Sequence, residues 1–268
     1  MAKDIAEILD TEKLENVVSI SHDWGSCLNS RLLTYHPERI LASTFFAMGC
    51  YQPSGRFNID ALNTASIEKY GYAKFGYWKF FSKDGADKVT LGHVKSFFTL
   101  LYSRNDLLTQ HWCPEGALEE WLLADKKPWV LIIRRRKAFL YLLSLEEWFR
   151  GSLLLVQGNY FISMLVTKQA HNDRPLLIFP ISNTRPTDIP FNAYFIKQPV
   201  FFGATLRDPT STSAENIGIL KALCPNHTIR SFETGHWVLH ERPTEVNVNE
   251  ELKWLDGLRL EGPKKLNL

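Results

Sequence analysis

Cysteine is scarce in this chain, and the little there is forms no pattern. The four cysteines, Cys27, Cys50, Cys113 and Cys224, are widely spaced and include no Cys-x-x-Cys pair. That spacing gives neither a disulfide framework nor a set of zinc ligands, and it suits a reducing compartment. Charge of one sign is lacking too. A net charge of +2 leaves no electrostatic footprint for nucleic acid. No apolar run is long enough to cross a membrane. The stretch from Met1 to Leu14 is charged and helical in period, with Ile5, Ile8 and Leu9 on one face, so it is no secretory signal. The most apolar stretch, Trp129 to Val156, is cut by Arg134, Arg135, Arg136 and Lys137 and again by Glu146 and Glu147. That basic cluster reads as a solvated helix face, with a localisation signal as the alternative. Internal repeats and low-complexity tracts are absent. These absences point to a cytoplasmic protein without nucleic-acid or membrane partners.

What is there is enough apolar material for a core. The 268 residues, 45% of them hydrophobic, suffice for one substantial domain or a domain with a smaller lid. Three textures follow one another. Up to about Cys50 the order is helix, strand (Val17 to Ile20), polar turn, helix ending at His36-Pro37, and a second strand at Ile40 to Phe46. Such alternation predicts a parallel sheet covered by helices. From Tyr51 to Ile196 aromatic-rich helical segments dominate, as at Ser66 to Ser82, His93 to Tyr102 and Gly116 to Ala124, with an irregular loop at Asn172 to Pro190. From Gln198 the alternation resumes. A strand at Pro199 to Ala204 and a helix at Ala214 to Leu223 lead to a strand at Thr228 to Phe232 and a last helix at Val246 to Leu255. The prediction is an α/β core in two pieces, residues 1–50 and 198–268, with a helical insertion at 51–197.

The segment Val17-Val18-Ser19-Ile20-Ser21-His22-Asp23-Trp24-Gly25-Ser26 runs from a strand into a helix through small–x–Asp–x–small. A sharp turn at the sheet's carboxyl edge needs small residues at Ser21 and Gly25, where backbones approach closely. The turn lifts one side chain free and aims helix N-terminal N–H groups at a developing anion. The central residue is aspartate, which excludes serine-esterase chemistry. A carboxylate can instead attack an sp³ carbon and form an alkyl ester. The alternative for Asp23 is a plain helix cap.

Near the carboxyl end, Gly235-His236 follows a strand, placed to turn His236 back across the sheet edge as a base. Asp208 follows the preceding strand and could orient the imidazole. The chain order nucleophile, acid, histidine is that of α/β-hydrolases. The alternatives are an ordinary loop histidine and an Asp208-Pro209 turn.

These residues, with Tyr35-His36-Pro37-Glu38-Arg39, Trp237-Val238, Glu241, Pro243 and Glu245-Val246-Asn247, closely resemble soluble epoxide hydrolases, the fungal members most. The resemblance runs from about Leu14 to Lys127 and from Gln198 to Leu255. His-Asp-Trp-Gly followed by Gly-His-Trp is shared with the wider group that includes haloalkane dehalogenases. The resemblance implies an α/β-hydrolase fold, the carboxyl-terminal part of a mostly parallel sheet with an inserted helical lid. It implies Asp23 as nucleophile, His236 as base, Asp208 as orienting acid, a small-molecule epoxide as substrate, and no metal or organic cofactor. Lid tyrosines protonate the epoxide oxygen in that family. Tyr77, in Phe75-Gly76-Tyr77-Trp78, matches the first, and Tyr160 is the candidate for the second. An aromatic of the lid core is the alternative for Tyr77. Trp24 belongs to the pocket and oxyanion side, and its indole would suit a dehalogenase.

Three departures set this chain apart. No His-Gly-x-Pro motif and no strands precede the nucleophile strand. Phe149-Arg150-Gly151-Ser152-Leu153 does not lead into the usual Leu-Asn-Trp-Tyr. Residues 128–145 and 175–193 follow the family loosely. The expectation is a relative lacking its amino-terminal part, with an apolar strand edge open to self-association. An impaired homologue and a dehalogenase-like hydrolase stand as alternatives.

Overall fold

The computed structural model describes residues 1–51, 58–127, 194–258 and 260. They fall into two compact units, 1–51 with 194–260, and 58–127.

The first unit is built on a sheet. Helix α1 (Ala2–Thr11) leads to β1 (Val17–His22), α2 (Trp24–Tyr35) and β2 (Ile40–Phe46). After the second unit come β3 (Val200–Thr205), α9 (Ser213–Leu223) and β4 (His227–Phe232), then α10 (Val238–Glu241), a π-helix (Thr244–Leu252) and α11 (Lys253–Gly257). Among the described residues the four strands lie in the order β1-β2-β3-β4, every pair parallel. A bulge between Val17 and Val18 shifts the register once, after which Val18 faces Ala42 and His22 faces Phe46.

Position in the sheet explains the composition of each strand. Central β3 (Val-Phe-Phe-Gly-Ala-Thr) is buried throughout, as expected of a parallel strand covered on both faces. Val200, Phe202 and Ala204 pack on one side with Leu32, Leu33, Phe45, Leu220 and Leu223. Phe201 packs on the other with Phe46, Phe232, Val238 and Val246. Gly203 is required there, since a Cβ would stand 2.4 Å from the Phe46 ring. Strand β1 lies at the sheet edge and is only partly covered, with Ile20 57% exposed. Between β1, β2 and α2 runs a buried polar seam. Asn29 donates to Ser21 Oγ and Ser43 Oγ at 3.0 and 2.8 Å, and Ser21 Oγ donates to the Thr44 carbonyl at 2.9 Å. These bonds satisfy the Asn29 amide nitrogen and the Ser21 hydroxyl, which would otherwise be costly to bury.

The second unit is helical: α3 (Ile59–Tyr70), α4 (Gly76–Phe81), α5 (Ala86–Gly92), α6 (Val94–Leu101), α7 (Asn105–His111) and α8 (Ala117–Leu123). Its core is aromatic. The rings of Tyr77, Phe81, Phe97 and Trp112 lie 5.2–6.1 Å apart in tilted and edge-on pairs.

Two sequence expectations need correction. The single helical segment at Ser66 to Ser82 is broken, because Gly71 ends α3 in the left-handed region (φ 81°) and α4 starts at Gly76. The last helix, expected at Val246 to Leu255, opens as a π-helix from Thr244. There Glu251 is buried and accepts from Thr44 Oγ1 at 3.0 Å. The sequence period does not report such a widened turn. The expected loop at Asn172 to Pro190 and the basic cluster Arg134–Lys137 lie outside the described residues.

Candidate active site

The turn from β1 into α2 puts Asp23 at φ 52°, ψ −123°, in a region that L-residues rarely occupy. Its N–H donates to the Phe46 carbonyl of β2 (3.2 Å), and its own carbonyl accepts from Ser26 N–H (2.9 Å). The side chain makes no capping hydrogen bond. The turn thus bears the cost of a strained residue, roughly 1–3 kcal/mol, without a capping bond in return.

Three strands end around this carboxylate. Asp23 follows β1 directly, Asp208 lies shortly after β3, and His236 follows β4. The His236 Nδ1–H donates to Asp208 Oδ2 at 2.7 Å, and its Nε2 stands 3.6 Å from Asp23 Oδ1. The second oxygen of Asp208 accepts from Thr210 N–H, Thr210 Oγ1–H and Ser211 N–H at 2.8, 2.8 and 3.1 Å. Asp208 therefore closes the turn read from Asp208-Pro209 and holds the imidazole as well. Gly235 N–H donates to both Glu241 carboxylate oxygens at 3.0 Å, which fixes the residue before the histidine. On the far side, the His22 ring donates through Nε2 to the His236 carbonyl at 2.8 Å.

Burial and charge act together on the protonation states. Burial opposes an imidazolium at His236, yet the Asp208 and Asp23 carboxylates and the hydrogen bond to Asp208 outweigh it and hold the ring at about 9. Burial also raises Asp208, but His236 and the Thr210 bonds bring it below the usual carboxylate range. At Asp23, burial wins over His236 and the Trp24 N–H, so its carboxyl is pushed up. Cys27, one turn along α2, is pushed up to about 12 by burial and by the charge of Asp23, with Arg31 pulling the other way. The thiol is thus kept protonated.

Of the residues expected from the sequence, Asp23, Asp208, His236 and Trp24 all belong to the sheet unit. Trp24 opens α2 directly after Asp23. Tyr77 belongs to the helical unit, where its ring packs edge-on to Trp78 and Phe81 and tilted against Trp112 at 5.2–6.1 Å. Tyr160 lies outside the described residues. Sequence reading missed Thr210 and Ser211, and it named His22 and Glu241 only for the resemblance, without a role. The first two had a signal, since aspartate commonly accepts from N–H groups two and three residues on.

No family model matches the sequence, and no curated protein matches it. Solved structures do. Potato (Solanum tuberosum) epoxide hydrolase I matches with a TM-score of 0.62 at 16% identity, over 96% of this chain and 75% of that one. An epoxide hydrolase from an endophytic Streptomyces gives 0.61 at 19%, over 96% and 73%. Epoxide hydrolase A from Mycobacterium thermoresistibile gives 0.61 at 17%, over 99% and 75%. The chain has an α/β-hydrolase fold. Within that fold, carboxyl ends of parallel strands are where a doubly wound sheet places its ligands, and the three facing side chains lie there. A carboxylate turned toward an imidazole, itself gripped by a second carboxylate, can attack an electrophile and then activate water. Among the described residues no helix is long and apolar enough to cross a membrane.

Proposed function

We propose that this chain hydrolyses small epoxides to vicinal diols through an ester formed on Asp23. The observation that carries the reading is the position of His236, with Nδ1–H bound to Asp208 at 2.7 Å and Nε2 turned to Asp23 at 3.6 Å. Asp23 attacks one epoxide carbon, the C–O bond breaks, and the leaving oxygen takes the phenolic proton of Tyr77, with Tyr160 as the second donor. A phenol suits this task because it is neutral at pH 7, with an unperturbed pKa of about 10. The phenolate regains its proton from water.

Electrostatics then favour the second step. In the free site the ionised Asp23 helps hold His236 protonated, at about 9. Ester formation neutralises Asp23, so one of those charges is gone and His236 releases its proton more readily. The neutral ring takes a proton from water, hydroxide adds to the ester carbonyl, and Trp24 N–H supports the oxyanion. Collapse expels the diol oxygen, which takes the proton from His236, and the Asp23 carboxyl formed with it passes its own proton to the imidazole, restoring the starting pair. Water and epoxide are consumed and one diol leaves. The four free thiols fit a cytoplasmic setting. Self-association belongs to the same reading, because among the described residues β1 lies at the sheet edge, carries Ile20 at 57% exposure and has no lysine or proline to block pairing.

A single turnover in heavy-oxygen water tests the central step. The label should enter the Asp23 carboxylate and not the first diol released, and Asp23→Asn should abolish diol formation. Label appearing directly in that first diol would sink the ester. A folded chain without turnover would leave an impaired homologue, and halide release from a haloalkane in place of diol would leave a dehalogenase.

A further inference from the structure

We infer that His22 is a positioning residue that ties the base His236 to the nucleophile Asp23 and so serves the hydrolytic half of the reaction. The inference rests on the ester mechanism proposed above and adds to it a residue that touches no reacting atom.

Three observations converge on this side chain. His22 is the last residue of β1, bonded covalently to Asp23. Its Nε2 lies 2.8 Å from the main-chain carbonyl of His236, an acceptor only, so Nε2 carries the proton and donates. The ring is also packed in place, stacked on Trp237 at 5.2 Å and 25°, and edge-on to the His236 imidazole at 4.8 Å. One imidazole thus grips the next residue of the base loop by its face and the base itself by its backbone.

The rest of that loop shows why such a grip matters. Gly235 gives the chain before His236 wide torsional freedom, and its N–H is anchored outward, to Glu241. Asp208 restrains the imidazole by Nδ1, which sets the ring's direction without setting its distance from Asp23. The His22 bond supplies that missing restraint, because it runs from the residue beside the nucleophile to the backbone of the base. The resulting Nε2–Oδ1 separation of 3.6 Å is too long for a hydrogen bond. A geometry this open suits a base that acts on water next to the ester, and a shift of about 1 Å in such a geometry can cost about 100-fold in rate.

The tether also holds across the working pH range. The groups facing the His22 ring are His236, Asp208 and His240. Burial and the His236 charge dominate, and they keep His22 neutral by lowering it to about 3. A protonated His22 beside His236 would repel it.

The test uses the full chain, styrene oxide and single-turnover sampling by intact-protein mass spectrometry, so that ester formation and ester loss are timed separately. His22→Phe keeps a ring on Trp237 and removes the donor, whereas His22→Gln restores an N–H where Nε2 was. We expect His22→Phe to form ester within about threefold of the parent rate, the worth of a fraction of one hydrogen bond, and to lose it about 10- to 100-fold more slowly. His22→Gln should recover most of the loss rate. Equal slowing of both steps, no slowing of either, or Phe and Gln behaving alike would each overturn the inference. Should His22→Phe not fold, His22→Asn, too short to reach the carbonyl, takes its place against Gln with the same expectations. A parent chain that yields neither ester nor diol overturns the reaction itself and the inference with it. A parent that turns over through ester with indifferent His22 variants overturns the inference alone.

Discussion

The neutrality of His22 has a consequence for stability that can be measured without any substrate. A histidine whose folded-state pKa is depressed contributes stability above its unfolded pKa, about 6.5, and this is lost as pH falls through the folded value. For His22 that value is about 3. At about 1.36 kcal/mol per unit, the contribution lost between these limits is about 5 kcal/mol, of which about 3 kcal/mol is gone by pH 4. His236 does not mask this. Its pKa is raised to about 9, so its contribution is complete below about 6.5 and is lost only as pH rises toward 9. The lowered Asp208 loses stability in acid too, but it does so in parent and variant alike. Replacing His22 by Phe removes the titrating group and also the bond to the His236 carbonyl, at a cost of about 1–3 kcal/mol at neutral pH. His22→Phe should therefore be the weaker protein at pH 7 and the stronger at pH 4, with urea midpoints crossing between about pH 6 and pH 4. Urea melts followed by tryptophan fluorescence at unit pH steps give the answer. Parallel curves from pH 7 to pH 4 would refute the argument, because His22 would then not be held neutral by the fold.

The other expectations concern the base, the lid and the backbone. Timed ester loss should rise with pH through an apparent pKa below about 9, because the ester lacks the Asp23 charge that helps hold His236 up; a value at or above 9 would contradict the electrostatic account. Tyr77→Phe should slow ester formation by about 10²–10³, and the double variant with Tyr160→Phe should be slower still, read by the same mass-spectrometric sampling. Gly76→Ala places a Cβ 2.3 Å from the Glu115 backbone nitrogen, so it should cost about 3 kcal/mol or more. Gly218→Ala, inside α9 with nothing within 4 Å, should instead stabilise by about 0.5–1 kcal/mol. Thermal melts of the two variants side by side check the sign of each.

The sheet was legible wherever burial is two-sided or the strand meets a turn. Val200 to Ala204 is an unbroken apolar run because β3 has neighbours on both edges and helices on both faces. Val17 to Ile20 ran into a turn whose small residues had one plausible purpose. The helical unit was less legible in its divisions. Ile67 and Tyr70 carry the helical period right up to Gly71, and only its left-handed backbone shows that α3 stops there. The π-helix was invisible for a related reason. Within it Glu251 is buried against Thr44, a partner on a strand far away in sequence that leaves no mark in the helical period.

The site divides along the same line, according to whether a residue's partner leaves a mark in the sequence. Asp23 had two readings, cap or nucleophile, and both use the same letters. The geometry speaks against the cap, since a cap residue ordinarily sits in the extended region and accepts a bond from its helix, whereas Asp23 is strained at φ 52° and makes no such bond. Asp208 and His236, which the structure brings together beside Asp23, were legible as candidates because the proposed nucleophile, acid and histidine come in a fixed chain order, each after a strand. Thr210 and Ser211 could have been found with them, being the local donors that an aspartate in a turn calls for. His22 could not. Its partner is a carbonyl, which every residue has, and that carbonyl belongs to a loop 214 positions away. Nothing in the spelling of His22 distinguishes a histidine that tethers a base from one that merely fills the space beside an aspartate. The distinction lies in a donor, an acceptor and the 2.8 Å between them, which is why a change that keeps the ring and removes the N–H is the one that tells them apart.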